Sequence, residues 1–282
     1  MSTTRESTMD TTAPARRSLI MRVVPPGLYV GRARVLVERS VLVNRSAWMT
    51  LLSGFFEPLF YLLAFQIGFG QLVETVRGPG GMQLSYVAFV APGLLACSAM
   101  NGAIYDSTFN VFFKLRYAKL YDAMLATPLG QLDVAIGEVC WALLRGALYA
   151  IAFICVMLGM GLIVSPWAIL LLPTALLVAF AFAAVGMALT TFIRSTQDFD
   201  LIQLAVIPMF LFSTTFYPLE VYPRALQIVV ECFPLYHAVE LMRRLCTGVV
   251  DVSMFGHLGY FVVLGLLGVL VAARRLSRLL LH

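Results

Sequence analysis

Lysine occurs only twice in the 282 residues, at Lys114 and Lys119, and charged side chains of every kind make up 12%. A soluble domain carries about 25%, so this chain lacks the polar surface to cover a water-soluble globule. Histidine is limited to His237, His257 and His282, too scattered to set out a metal cluster. The five cysteines form no C-x-x-C pair. Cys232 and Cys246 share one segment, which leaves a disulfide open beside the reading of both as small buried side chains. There is no G-x-x-x-x-G-K-[ST], and neither lysine follows a glycine, which excludes ATP hydrolysis on a P-loop of the chain's own. H-E-x-x-H and G-x-S-x-G are missing as well, and no carboxylates or histidines converge as a membrane enzyme would need. No internal repeat is visible, which weighs against the inverted-repeat secondary transporters. Residues 1–24 are rich in Ser, Thr and Arg without the apolar core of a cleavable signal. They read as a disordered cytoplasmic tail, leaving 25–282 as a single membrane domain.

What is present is apolar: 60% hydrophobic residues and a mean hydropathy of +0.88. Runs of roughly 20 apolar residues recur, the length that crosses about 30 Å of hydrocarbon as a helix. The chain reads as an all-α polytopic membrane protein with six spans, at 47–70, 86–109, 139–163, 167–193, 201–217 and 257–273. Ahead of them, 28–44 spaces Arg32, Arg34, Glu38 and Arg39 on one helical arc opposite an aliphatic one, as in a helix lying in the headgroup layer. Between spans five and six, 218–256 is too polar to cross and too apolar for an ordinary loop. Pro218, Pro223 and Pro234 break it into short pieces, and Glu220–Arg224 and Glu240–Arg244 have the spacing of helical ion pairs. A re-entrant pair of short helices on the outer side fits this pattern.

Six spans with the N-terminus inside put sixteen of the 20 Lys and Arg on the cytoplasmic side and leave Arg77, Arg224, Arg243 and Arg244 outside. That asymmetry is the positive-inside pattern, with both termini cytoplasmic. The net charge of +5 therefore speaks for cytoplasmic loops and anionic lipid, not for nucleic acid.

Few ionisable residues fall within the spans. Glu57, beside Pro58, sits deepest. A carboxylate there must face protein or water or be protonated, so it either lines a substrate path or bonds backbone groups freed by Pro58. Asp106 near the cytoplasmic end of span two and Arg145 about two turns into span three are placed to pair and lock the helices. Asn101 is placed to hydrogen-bond between helices. The stretch from Lys114 to Glu138 is the longest charged interruption among the central apolar blocks, and it carries both lysines.

Four local patterns resemble the permease subunits of type-2 ABC exporters: Glu57-Pro58-Leu59-Phe60-Tyr61 in the first span; Tyr86-Val87-Ala88-Phe89-Val90-Ala91-Pro92-Gly93-Leu94 opening the second; Tyr121-Asp122-Ala123-Met124-Leu125-Ala126-Thr127-Pro128-Leu129 after it; and Phe216-Tyr217-Pro218-Leu219 followed by Phe233-Pro234-Leu235-Tyr236-His237-Ala238-Val239-Glu240. The resemblance extends over roughly 28–275 and is strongest to nodulation-protein-J-type permeases, associated with lipo-oligosaccharide export, with daunorubicin-resistance-type drug permeases as near relatives. It implies two permease copies, identical or related, over two cytoplasmic ATPase subunits that bind ATP and Mg, the permease holding no cofactor of its own. It implies a coupling helix at Tyr117, Leu120, Tyr121, Asp122, Met124, Leu125, Thr127, Pro128 and Leu129, where many relatives have Glu in place of Asp122. Pathway or gate positions follow at Glu57, Asn101, Phe216, Pro218 and Glu240. The implied function is export of an amphiphile from an inner membrane. The alternatives are a proton-coupled secondary transporter relaying through Glu57 and Asp106, and an integral membrane enzyme.

Overall fold

The computed structural model describes residues 33–44, 48–70, 72–73, 75–116, 131–193 and 195–280; for 33–36, 43–44, 48–55, 57–58, 115–116, 131–136, 273 and 276–280 it describes the helix without the side chains. All nine expected coupling residues, Tyr117 to Leu129, lie outside the described residues, as does the side chain of Glu57.

Helix α1 (Ala33–Asn44) rests on the long helix α5 (Gln131–Gly159), with Val37 buried and Arg39 and Leu42 outward. Helix α2 (Trp48–Gly68) leads into a small antiparallel hairpin, β1 (Val76–Arg77) paired with β2 (Gln83–Leu84). Ser85 then caps α3 (Tyr86–Tyr105), its hydroxyl accepting from Ala88 N–H at 3.3 Å. A π-helical turn, Asp106–Asn110, joins α3 to α4 (Val111–Arg116). After α5, the 3-10 turn Pro166–Leu170 opens α6 (Leu171–Thr190). A second 3-10 turn, with a reciprocal Ser195–Asp198 capping box, opens α7 (Phe199–Phe212). Helices α8 (Arg224–Glu231) and α9 (Pro234–Thr247) follow, and α10 (Ser253–Leu280) ends the described chain.

Among the described residues, four helices are long and apolar enough to cross a membrane: Tyr86–Lys114, Gly137–Gly159, Pro166–Thr190 and Ser253–Ala272. Helices α8 and α9 pass the same test only together, bent by 86° at the break before Pro234. Such a bend fits a broken span as well as a re-entrant pair. The described side chains of α2 give a shorter apolar stretch, Leu59–Gly68, and α7 has 14 residues, about 21 Å at 1.5 Å per residue.

The spans are not equally buried. The first of the four is 67% buried and the third 50%, against 11% and 22% for the second and fourth. Helices α3 and α6 therefore form the centre, with α5 and α10 outside them. Helix α10 approaches α6 closely because both are small at the contact: a β-carbon on Gly268 would lie 2.7 Å from the Ala184 carbonyl carbon. The turn Asp106–Asn110 is held to α6 by Thr190, whose hydroxyl donates to the Ser107 carbonyl at 2.9 Å.

In the 218–256 segment one open question closes and one expectation is corrected. Cys232 and Cys246 are free thiols: Cys232 is exposed in the turn after α8, whereas Cys246 is on the buried face of α9. Glu220 and Arg224 share no helix. Glu220 sits in the 3-10 turn Leu219–Val221 and Arg224 opens α8, with Tyr222 and Pro223 extended between them.

Candidate functional site

A cavity of about 890 Å³ lies between α2, α3, α5 and α7. Helical spacing selects its walls. On α3 the lining positions Leu94, Cys97, Ser98, Asn101 and Tyr105 follow the i, i+3, i+4 spacing of one helical face, continued by Thr108 in the π-helical turn, and on α7 Phe199, Ile202, Gln203, Val206 and Phe210 do the same. Tyr61 contributes from α2, and Arg145 and Tyr149 from α5. The lining is two-natured. Ser98, Asn101, Tyr105, Tyr149 and Gln203 offer hydrogen bonds, whereas Leu94, Ile202, Val206, Ile207 and Phe210 are apolar. Arg145 is the one charged group among the described lining residues. The volume is in the upper part of the range of roughly 300–1,000 Å³ that holds drug-sized ligands.

Aromatic clusters stand at both ends. Nearest the hairpin, Phe216 stands 5.2 Å from both Phe65 and Phe210, ring centre to ring centre, and Phe65 meets Tyr86 at 6.1 Å. At the end nearest α4, Phe199 packs on Phe109 at 5.4 Å and on Phe112 at 5.2 Å. Such ring pairs add about 0.5–1.5 kcal/mol each beyond area burial.

The α4 end is also tied by charge. The π-helical turn presents the buried Asp106 to α5, where Arg145 forms an ion pair with its Oδ1, and Asn110 donates to the same oxygen at 2.8 Å. An extra residue in one helical turn re-aims the side chains that follow it, and such turns recur at functional sites. Arg145 uses its Nη2 on Asp106, while its Nε is buried without a partner among the described residues. One to two turns further on, Lys114 of α4 bonds Glu138 of α5 at 2.6 Å.

At the hairpin end the fixed point is Arg243 of α9. It is 1% exposed and donates from Nε to the Phe89 carbonyl (3.1 Å), from Nη2 to the Thr214 carbonyl (2.7 Å) and from Nη1 to Glu240 (3.1 Å). The guanidinium also stacks 3.7 Å over the Phe89 ring. Each of its three nitrogens thus has a partner, which is what a buried cation requires.

The expected site residues divide accordingly. Asp106 and Arg145 are brought together. Asn101 is exposed and lines the cavity. Phe216 is in the aromatic cluster nearest the hairpin, and Pro218 caps the 3-10 turn that follows it. Glu240 pairs with Arg243 and with Arg244, at 3.4 Å in the latter case, and is not among the residues that line the cavity. Sequence reasoning missed Tyr105, Tyr149 and Gln203 as lining residues and Arg243 as a buried hub. A glutamate three residues before it was the one signal for Arg243. Among the described residues, no three His, Cys, Asp or Glu converge as metal ligands.

Long apolar helices around a two-natured cavity are the architecture of a multi-pass membrane permease. The chain belongs to the ABC-2 type transporter family, whose model matches residues 32–246. It is similar to nodulation protein J of Rhizobium leguminosarum bv. viciae, 32% identical over 244 residues, covering 83% of this chain and 91% of that protein. Nodulation protein J of Rhizobium leguminosarum bv. trifolii is 32% identical over 242 residues (83% and 90%), and that of Rhizobium meliloti strain 1021 is 30% identical over 240 residues (83% and 89%).

Proposed function

We propose that the chain is the transmembrane subunit of an ATP-driven exporter that moves an amphiphile (a lipo-oligosaccharide, glycolipid or hydrophobic drug) out of the cytoplasm or inner leaflet of an inner membrane. The observation that carries this reading is the cavity lining: hydrogen-bonding groups lie beside the apolar side chains Ile202, Val206, Ile207 and Phe210 of α7. A soluble sugar has no use for those side chains, and a purely apolar solute has no use for the amides and phenols.

In this reading α2, α3–α4, α5, α6, α7 and α10 are six spans, the hairpin end faces outward, and α8–α9 re-enter from that side. Helix α1 lies in the cytoplasmic headgroup layer, and both termini are cytoplasmic. ATP and Mg are bound by a separate ATPase subunit, which presses on the segment between α4 and α5, and a second permease copy completes the pathway. The Lys114–Glu138 contact joins the two helices at the ends of that segment, so a push on it reaches α4 and α5 together. A proton relay through Glu57 and Asp106 is the weaker reading, because Asp106 is held by Arg145 and Asn110.

The test is purification of the tagged chain from its own membranes in mild detergent, with crosslinking. Recovery of a P-loop ATPase in equal amount supports the proposal, and a chain that comes through alone in repeated preparations contradicts it.

A further inference from the structure

The turn Ser213–Thr215, where cavity-lining α7 ends, is the most constrained backbone at the hairpin end. All three residues are buried, and Thr214 has φ 57°, in the left-handed region that a β-branched residue seldom enters. The Thr214 hydroxyl is itself buried without a partner among the described residues. A strained, under-bonded turn persists only if its surroundings enforce it. Two contacts do so. Arg243 Nη2 holds the Thr214 carbonyl at 2.7 Å, and the neighbouring Thr215 is pressed onto α3. There Gly93 leaves room for it: a β-carbon on Gly93 would lie 3.1 Å from Thr215 Cγ2 and 3.3 Å from its Cα. Cys97, a cavity-lining residue one turn further along α3, sits 3.5 Å from the Thr215 hydroxyl.

Arg243 is also connected outward. Its partner Glu240 bonds Arg244, which reaches Ser253 in the first turn of α10. One polar chain thus joins the end of α7, the re-entrant helix α9 and the start of α10.

We propose that Arg243 is a positioning residue for export: it latches the hairpin end of the cavity by holding the strained Thr214 carbonyl, and the exit opens when this contact is released. The proposal rests on the hairpin end facing outward, as in the function proposed above. The strained turn belongs to the latched state, so relaxing its backbone works for opening and Arg243 works against it. Movement of α9 or α10 is what reaches the latch, through Glu240 and Arg244.

The native Cys97 reports on the latch without transport, ATPase or substrate, so failure here is separable from failure of the export reading. The full chain, with Cys140, Cys155, Cys232 and Cys246 changed to Ala, is treated in membranes with a thiol reagent that cannot cross the bilayer, added from outside. Arg243→Lys keeps the charge and loses the forked donors. It is expected to raise the Cys97 labelling rate roughly tenfold, the size of a lost charge-assisted hydrogen bond. Thr214→Gly removes the conformational strain from the latched state. It is expected to lower labelling roughly fivefold and, added to Arg243→Lys, to bring labelling back toward the parent value. A residue with a purely packing role predicts no such rescue. Membrane level of each variant is measured alongside, and a companion chain that keeps Cys246 as its only thiol shows whether α9 has unpacked. Unchanged Cys97 labelling in inserted Arg243→Lys, a rise in both variants, or an equal rise at Cys246 would overturn the proposal.

Discussion

Lys114 Nζ lies 2.6 Å from Glu138 Oε2, joining two side chains 24 positions apart in the sequence. Side-chain exposures of 28% and 13% place the pair at the edge of water. Pairs of this kind contribute about 0–1 kcal/mol to stability, so any larger consequence of losing it belongs to function. Glu138→Gln is expected to leave membrane insertion and thermal stability within about 0.5 kcal/mol of the parent while lowering transport per ATP hydrolysed. The double exchange Lys114→Glu with Glu138→Lys is expected to recover transport. Equal losses in single and double variants would remove the pair from the coupling route.

Asp106 and Arg145 form the more buried pair, and its energetics have the opposite sign of interest. Removing one partner strands a desolvated charge, at a cost of about 3–5 kcal/mol. Asp106→Asn should therefore lower the midpoint of thermal unfolding in detergent far more than Glu138→Gln does. Asp106→Leu combined with Arg145→Met removes both charges and should unfold later than either single change. A double variant less stable than both singles would show that the pair contributes net stability of its own.

Gly268 tests the centre of the fold. Any side chain there meets the backbone of α6, and overpacking of this kind costs about 1–3 kcal/mol. Gly268→Leu is expected to lose stability, with the α6–α10 contact giving way first. The same change at Gly259, where an added β-carbon meets nothing within 4 Å, is the control.

The segment between α4 and α5 carries the proposal about the ATPase. Charge reversal at Asp122, or Met124→Pro, is expected to leave the chain inserted and ATP hydrolysis by the complex running while transport falls at least tenfold. Transport at the parent rate in both variants would exclude this segment as the contact.

Much of this was legible because membrane physics limits the options. Apolar runs of span length located α3, α5, α6 and α10, and the scarcity of intramembrane charge paired Asp106 with Arg145. The i,i+4 spacing found Glu240–Arg244, because Pro234 opens one uninterrupted helix through both residues. The same rule failed for Glu220–Arg224, because Pro223 lies between them with its φ fixed and no N–H to give a helix. Cys232 and Cys246 share a segment, but the 86° bend and the inward face of α9 separate their fates. The π-helical turn that aims Asp106 has no distinguishing composition. Arg243 reads as one of four outward charges, and only the fold shows that two backbone carbonyls and a phenyl ring wait for it. The left-handed conformation of Thr214 is equally silent, since the chain spends no glycine there.

In the proposed function an amphiphile moves through the α2–α3–α5–α7 cavity on energy supplied by another subunit. The most direct test is transport of a fluorescent lipo-oligosaccharide in vesicles reconstituted with the chain and its ATPase partner. The account predicts movement that requires ATP and both subunits, ignores an imposed pH gradient, and slows when Gln203 or Val206 on the cavity wall is changed to Trp. Movement by the chain alone, driven by the pH gradient and indifferent to ATP, would contradict it.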